Sequence, residues 1–353
     1  MLARRPARIL HAPWNIGGNP VGLSRAEREL GFRSDVVVLE QHPFGYQADI
    51  DLDIAGIINK ETDRRRFRFV LKAALRYDVF HFNFGQTIVQ SLHEGRLRTE
   101  VPWLKRLGKT VLATFQGDDA RPPEANPFAG YDEAGLAEQR VFQAQRRDLM
   151  LRYADRVFFL NPDLRQWLPG AEFRPYASFD PRSVEPSPLP GNPELVVAHA
   201  PSARSQKGSA EVVEAVAALR DEGVAVRLDL IEGVPRTEVL KRTHRADVVV
   251  DQLSIGWYGG YAVEAMSLAR PVLCNIKEED PSDNPFGDDL PIVRTTTATV
   301  RNDLRAILLD DERRERVAME GREFAERVHD PRRVAQANLA GLVKMPAAGA
   351  AVP

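Results

Sequence analysis

The sequence predicts an α/β protein built as two doubly wound halves, each a mostly parallel sheet wrapped by helices. Three observations predict it. Short β-branched apolar runs alternate with helix-period stretches almost from end to end, the rhythm of repeated βαβ units. That rhythm breaks once, at a proline-rich stretch over 176–194, and then restarts. Each half also opens on a strand that runs into a glycine-rich or basic loop before its first helix, the place where open α/β sheets take ligands.

In chain order, RILHAP (8–13), DVVVLE (35–40), VFHFNF (79–84), TVLATFQG (110–117) and RVFFLNP (156–162) read as buried strands, with helical stretches at 64–77 and 138–154. YASFDPRSVEPSPLPGNPE (176–194) has five prolines and no apolar period, so it reads as a linker. The second half then runs strand (195–201), helix (209–220), strand (226–233), helix (236–245), strand (247–253), a short helix holding Glu264, and strand (271–276). Helical segments follow from about 300 to 344, and MPAAGAAVP at the end reads as a disordered tail. The expected division is an N-terminal Rossmann-like domain over 1–178, a linker over 179–194, a C-terminal Rossmann-like domain over 195–330, and a terminal helix and tail over 331–353. Beyond this coarse duplication there is no repeat of solenoid length.

Composition bounds the function. At 353 residues and 43% hydrophobic, the chain can bury about two cores. Its 48 basic and 50 acidic side chains nearly cancel, so nothing calls for a nucleic-acid partner. The asymmetry between halves is modest, with 26 basic and 23 acidic residues in 1–180 against 22 and 27 in the remainder. The single cysteine, Cys274, sits in a strand-like run, which fits buried core in a reducing compartment. There is no apolar run of about 18 residues and no secretory signal pattern, so a cytoplasmic protein is expected.

Four strand-to-helix loops are candidates for chemistry. In NIGGNPVG (15–22), Gly17 and Gly18 let the backbone approach a ligand at a helix N-terminus, or simply make a tight turn. In SARSQKG (202–208), Arg204 and Lys207 precede a helix, as an anion site would require; a basic surface loop is the plainer reading. TFQGDDAR (114–121) places Gln116, Asp118 and Asp119 at the end of a buried strand, where Asp118 could equally cap a turn. In GWYGGYAVEAMSLARPVL (256–273), Gly259 and Gly260 open the helix carrying Glu264, a lone carboxylate among apolar neighbours that must find hydrogen-bond donors.

Taken together these residues resemble the retaining GT-B-fold glycosyltransferases of the family-4 type. That segment reads roughly E-G-F-G-x-x-x-x-E-A-M-A-x-G-x-P-V in the family, and Gly259, Glu264, Ala265, Met266, Pro271 and Val272 match it. The resemblance covers nearly the whole chain, through the glycines at 17–18 and the basic loop ending Lys207-Gly208 as well. It implies a GT-B fold, two Rossmann-like domains facing across a cleft. It also implies transfer of a sugar from a nucleotide-diphosphate donor of UDP type to a carbohydrate, glycolipid or small-molecule acceptor, with retention of configuration. No metal and no cofactor would take part. Arg204 and Lys207 would neutralise the diphosphate, Glu264 would accept from the ribose hydroxyls, and the backbone at Tyr258, Gly259 and Gly260, with Gly17, Gly18 and Gly233, would line the donor. Gln116, Asp118 and Asp119 would face the sugar at the catalytic position. Two departures stand out: Gly256 occupies the place of the family's first glutamate, leaving Asp251 or Gln252 to supply its contact, and Gln116 stands where histidine is usual.

Other readings remain. DIDLD (49–53) contains the D-x-D of metal-dependent transferases, although an acidic strand edge explains it as well. A dehydrogenase lacks its G-x-G-x-x-G in both glycine loops. A non-catalytic nucleotide- or sugar-binding protein of the same fold is the alternative that Gly256 and Gln116 favour. The basic and apolar helix at 64–77 suits either peripheral contact with the inner membrane face or packing on the sheet with a charged outer side. His11 and His199 precede the two ligand loops by equivalent spacing, as lining residues or packed strand ends. Phe128 and Tyr131, in the expected acceptor-side loop 119–135, could stack on a sugar or simply pack.

Overall fold

The computed structural model describes residues 5–41, 45–54, 59–93, 96–125, 133–277 and 284–346. Phe128 and Tyr131 lie outside these, as does most of the terminal tail. The chain divides into two compact units, one of Met1–Ser178 with Pro331–Pro353, the other of Phe179–Asp330.

The first unit contains β1 (Arg8–Ala12), α1 (Asn19–Glu29), β2 (Arg33–Val38), β3 (Ile50–Asp51), α2 (Lys60–Arg76), β4 (Val79–Asn83), β5 (Gln90–His93), β6 (Arg96–Thr99), α3 (Val101–Arg106), β7 (Thr110–Phe115), α4 (Glu133–Tyr153), β8 (Arg156–Phe159) and β9 (Glu172–Phe173). Its parallel sheet has the order β3-β2-β1-β4-β7-β8-β9, with β5 and β6 paired apart as an antiparallel hairpin. Alternation along the strands sorts the core. Leu10, Phe80, Phe82, Val111 and Phe115 pack with Val70, Ala73 and Ala74 of α2 and with Leu104 and Met150, whereas Ile9, Val79, Leu112 and Phe158 join Phe32 and Leu339 in a separate cluster. Helix α1 packs closely against the chain: a Cβ at Gly22 would stand 1.8 Å from the Ala177 carbonyl oxygen, so only glycine fits.

The second unit contains β10 (Leu195–His199), α5 (Arg204–Lys207), α6 (Ser209–Asp221), β11 (Val226–Leu230), α7 (Arg236–His244), β12 (Val248–Val250), α8 (Gly260–Ser267), β13 (Val272–Cys274), β14 (Val293–Arg294), α9 (Val300–Leu308) and α10 (Asp311–Val328). Its parallel sheet runs β11-β10-β12-β13-β14 over a core that includes Val197, Val216, Leu219, Val248, Val250, Leu273, Leu304 and Ile307. After α10 the chain returns to the first unit as α11 (Pro331–Leu339), where Val334 and Ala335 pack on Leu23 and Ala26 of α1.

In each sheet the first strand has its successor on one side and a later strand on the other, so the order reverses at β1/β4 and at β10/β12. Loops leaving the carboxyl ends of those strands therefore diverge and leave a crevice. The expected linker behaves differently from a free tether. Arg270, 1% exposed, donates to the carbonyls of Ser187 and Pro188, and Asn192 donates to Asp247 at 2.7 Å, which holds the proline-rich stretch on the second unit. The short edge strands β9 and β14 and the β5–β6 hairpin were not anticipated, because two to four residues carry too little period to register, whereas β3 falls within the acidic strand edge read at 49–53.

Candidate functional site

The second unit gathers most of the expected residues at the β10/β12 reversal. Gly208, in the left-handed region at φ +69°, ends α5 and starts α6; a Cβ there would lie 2.8 Å from the Leu253 Cβ. The Leu253 amide donates to the Lys207 carbonyl at 3.2 Å, so the loop after β10 is stitched to the loop after β12. His199 supports that junction from below. It is fully buried, Nδ1 donates to the Val250 carbonyl at 2.8 Å, and Nε2 accepts from the Ser209 hydroxyl at 2.8 Å. Burial pushes its pKa down, so it is a neutral strut, not a group facing a ligand.

Asp251 organises the centre. It is 1% exposed, and its Oδ2 accepts the Gly259 amide at 2.7 Å, which fixes the residue just before α8. Its Oδ1 makes no hydrogen bond among the described residues and faces Lys207 Nζ across 3.5 Å. The Gly259 backbone lies close to both charges, since a Cβ built there would stand 3.6 Å from Asp251 Oδ2 and 3.7 Å from Lys207 Nζ. Gly260 is the first residue of the eight-residue helix α8, whose amino end is thus placed beside the lysine ammonium. Tyr258 is 1% exposed and points inward, its hydroxyl 3.1 Å from His329 Nε2, so backbone alone is offered at this position.

Glu264 lies one turn into α8 and is 8% exposed. The donor its burial demands is Arg236, from the start of α7, whose Nε donates to Glu264 Oε1 at 2.7 Å while Nη2 contacts the same oxygen. The guanidinium also lies over the Phe179 ring, 5.4 Å from its centre. Burial pushes the Glu264 pKa up and the guanidinium opposes that shift. Oε2 has no partner among the described residues. Sequence reasoning demanded a donor for Glu264 but did not identify Arg236; the signal was an arginine opening a helix directly after the loop that follows β11.

Arg204 is placed differently from Lys207. Its side chain is 63% exposed and closes on Glu232 through Nε at 2.8 Å and Nη2 at 2.5 Å. Gly233 follows Glu232 at φ +64° in open space. Gly256 has φ +89°, and a Cβ there would meet the Lys277 side chain at 3.0–3.1 Å, so the left-handed backbone disfavours the glutamate that the resemblance leads one to expect. Gln252 does not replace it. Fully buried, it donates to the Trp257 and Asn275 carbonyls and accepts the Ser254 and Ile255 amides, holding the loop together.

In the first unit, Gly17 and Gly18 adopt φ +70° and +76°, and Gly18 caps α1. Gln116 lies alongside, its Oε1 4.0 Å from where a Gly17 Cβ would stand, and its buried Nε2 has no hydrogen-bond partner among the described residues. Asp119, not Asp118, holds the turn: its carboxylate accepts the amides of Gln116 at 3.0 Å and Gly117 at 2.6 Å. Its pKa is pushed up to about 6 by burial, against those amides. That carboxylate is committed to the loop. Asp118 is exposed, 3.4 Å from Arg121, itself clamped on Asp163. His11 is fully buried against Glu27, 2.9 Å away, and lines nothing. Of the D-x-D carboxylates, Asp49 accepts from the Val36 amide and Arg28, and Asp51 accepts from the Asp53 amide.

No protein-family model matches the sequence, and no curated protein matches it. Solved structures do. Sucrose-phosphate synthase from Thermosynechococcus elongatus is 17% identical with a TM-score of 0.62, covering 95% of this chain and 97% of that one. Anabaena HepE, solved in complex with UDP-glucose, is 14% identical with a TM-score of 0.60, over 95% and 99%. WaaG, a glycosyltransferase involved in lipopolysaccharide biosynthesis, is 13% identical with a TM-score of 0.57, over 95% and 100%. The likeness is one of fold: the chain has the GT-B fold, two Rossmann-like α/β units.

Proposed function

We propose that the protein is a glycosyltransferase that takes a hexose from a UDP-sugar and transfers it to an acceptor hydroxyl with retention of configuration and without a metal. The observation that carries this reading is the convergence of Lys207, the amino end of α8 and the nearly buried Glu264 at one sheet reversal. Glu264 Oε2 suits a ribose hydroxyl as donor, with Arg236 orienting the carboxylate and opposing the upward push of burial on its pKa. Lys207 and the α8 amides suit the diphosphate, where negative charge grows as the anomeric bond breaks; they supply the positive potential that a metal supplies elsewhere. In the first unit, ligand contact is assigned to Gly17, Gly18 and the unpartnered amide of Gln116.

In this reading the bond from the anomeric carbon to the leaving phosphate oxygen breaks as the bond to the acceptor oxygen forms on the same face. The acceptor proton passes to the leaving phosphate, so no side chain need act as base. HepE, a protein of the same fold, is known with UDP-glucose bound, which supports the choice of nucleotide. Gly256 favours a second reading, a protein that binds nucleotide sugars without turnover, because the contact expected of a glutamate there is absent.

One assay separates the two. With UDP-hexoses in the presence of EDTA, the enzyme reading expects release of UDP and, with an accepted hydroxyl compound, a product of the donor's own anomeric configuration by proton NMR. Tight UDP-hexose binding with no UDP release would establish the binding-only reading, and an inverted product would overturn retention.

A further inference from the structure

We propose that the outer face of α2 docks the protein onto an anionic lipid surface. The inner face of this helix is satisfied, with Val70, Ala73 and Ala74 buried against the sheet. Its outer side nevertheless presents Phe67, Leu71 and Leu75, exposed by 56%, 40% and 88%. Residues four apart on a helix form one stripe, so these three make a continuous apolar ridge that the protein's own core does not use. Beside it runs a second stripe at the same spacing, Arg64, Arg68 and Lys72, all exposed and without an ion pair among the described residues. Acidic residues on α2 are confined to Glu61 and Asp63 in its first turn.

The basic surface continues past the helix. Arg76, its last residue, also walls a depression of about 450 Å³ that Arg8, Arg28 and Arg33 share. Arg28 is engaged by Asp49 at 2.6 Å and Arg76 faces Asp35 at 3.5 Å, while the Arg8 and Arg33 guanidinium groups have no partner among the described residues. The ridge thus ends at a seat for anionic headgroups.

Charge complementarity selects the occupant. A bilayer with anionic headgroups supplies a negative plane over an apolar layer along the whole helix, about 25 Å. A protein partner would need acidic and apolar groups alternating at helical pitch over the same length. No helix among the described residues is long and apolar enough to cross a membrane, so the contact is peripheral.

The test is co-sedimentation of the full chain with vesicles of phosphatidylcholine alone or containing about one third phosphatidylglycerol, at about 50 and about 300 mM salt. Binding is expected to the anionic vesicles only, and to weaken with salt. Each lost cation should lower partitioning about 5-fold, so the triple variant Arg64→Gln, Arg68→Gln, Lys72→Gln should lose on the order of 100-fold. Phe67→Glu with Leu75→Glu should lose at least about 10-fold, with an unchanged circular-dichroism melt because both side chains are exposed. Failure to bind anionic vesicles overturns the proposal. So does full binding by the Phe67/Leu75 variant, which would reduce the effect to electrostatic adsorption. A lipid-free dimer dissolved by Leu75→Glu would also overturn it, showing that a second copy covers the ridge.

Discussion

Lys207 and Arg204 stand three residues apart, yet their surroundings give them different weight. The lysine side chain is 16% exposed beside a buried carboxylate, whereas the arginine is 63% exposed and closed on Glu232. A partly desolvated cation acts on an anion through a lower effective dielectric, and an exposed paired one is screened. Lys207→Ala is therefore expected to weaken UDP binding by about 10–100-fold, and Arg204→Ala by less than about 5-fold, in titration calorimetry. Equal losses would mean that Arg204 leaves Glu232 for the ligand. Gly256 gives a second expectation. Restoring a glutamate with Gly256→Glu forces a side chain into the left-handed region at φ +89°, which costs about 1–2 kcal/mol. It should lower the melting temperature without raising UDP-hexose turnover, and a gain in turnover would contradict the geometry. At this scale the sequence was informative where burial and charge conflicted. Glu264 stood out as a carboxylate among apolar neighbours, and it is nearly buried. Asp119 and Arg236 were harder to read, because which of two adjacent aspartates turns inward, and which distant arginine answers a buried glutamate, depends on contacts that no local pattern encodes.

At the level of elements, the loops are held by buried carboxylates, and these make stability depend on pH. Glu100, which precedes α3 and is 6% exposed, accepts the Ile88 amide at 2.7 Å and the Val89 amide at 3.1 Å. Burial pushes its pKa up to about 7 from 4.5, only partly opposed by those amides. A carboxyl whose folded pKa is raised binds its proton more tightly folded than unfolded. Its contribution is full below pH 4.5 and is lost as the pH rises through about 7. The size is on the order of 3 kcal/mol. Asp119, raised to about 6, acts in the same direction. Denaturant unfolding should show stability falling between about pH 5 and pH 8, with a shallower slope in Glu100→Gln. A slope of the opposite sign, removed by that substitution, would contradict the assignment. Elements with several residues of clear period were legible in the sequence, as α6, expected over 209–220 and found at Ser209–Asp221, illustrates. The two-residue edge strands β9 and β14 were not, because their pairing is decided by neighbours rather than by their own pattern.

Across the whole chain the same device appears twice. A parallel strand ends on a buried histidine, His11 near the end of β1 and His199 at the end of β10, and then releases a loop at the point where strand order reverses. The duplication was readable because βαβ rhythm is long-range and redundant. The return of α11 to the first unit was not, since a short amphipathic helix does not declare which apolar surface it will cover. What the molecule does with the second loop system is most directly tested by ligand-induced stabilisation. A thermal-shift panel of UDP, GDP, ADP and TDP would be run in magnesium and in EDTA, on the wild type and on Glu264→Gln. One nucleotide, UDP, is expected to stabilise the wild type by about 2.7 kcal/mol at 100-fold over its dissociation constant, equally in EDTA, with the effect lost in the variant. No shift with any nucleotide, or a UDP shift that survives Glu264→Gln, would contradict the claim that this carboxylate grips a ribose.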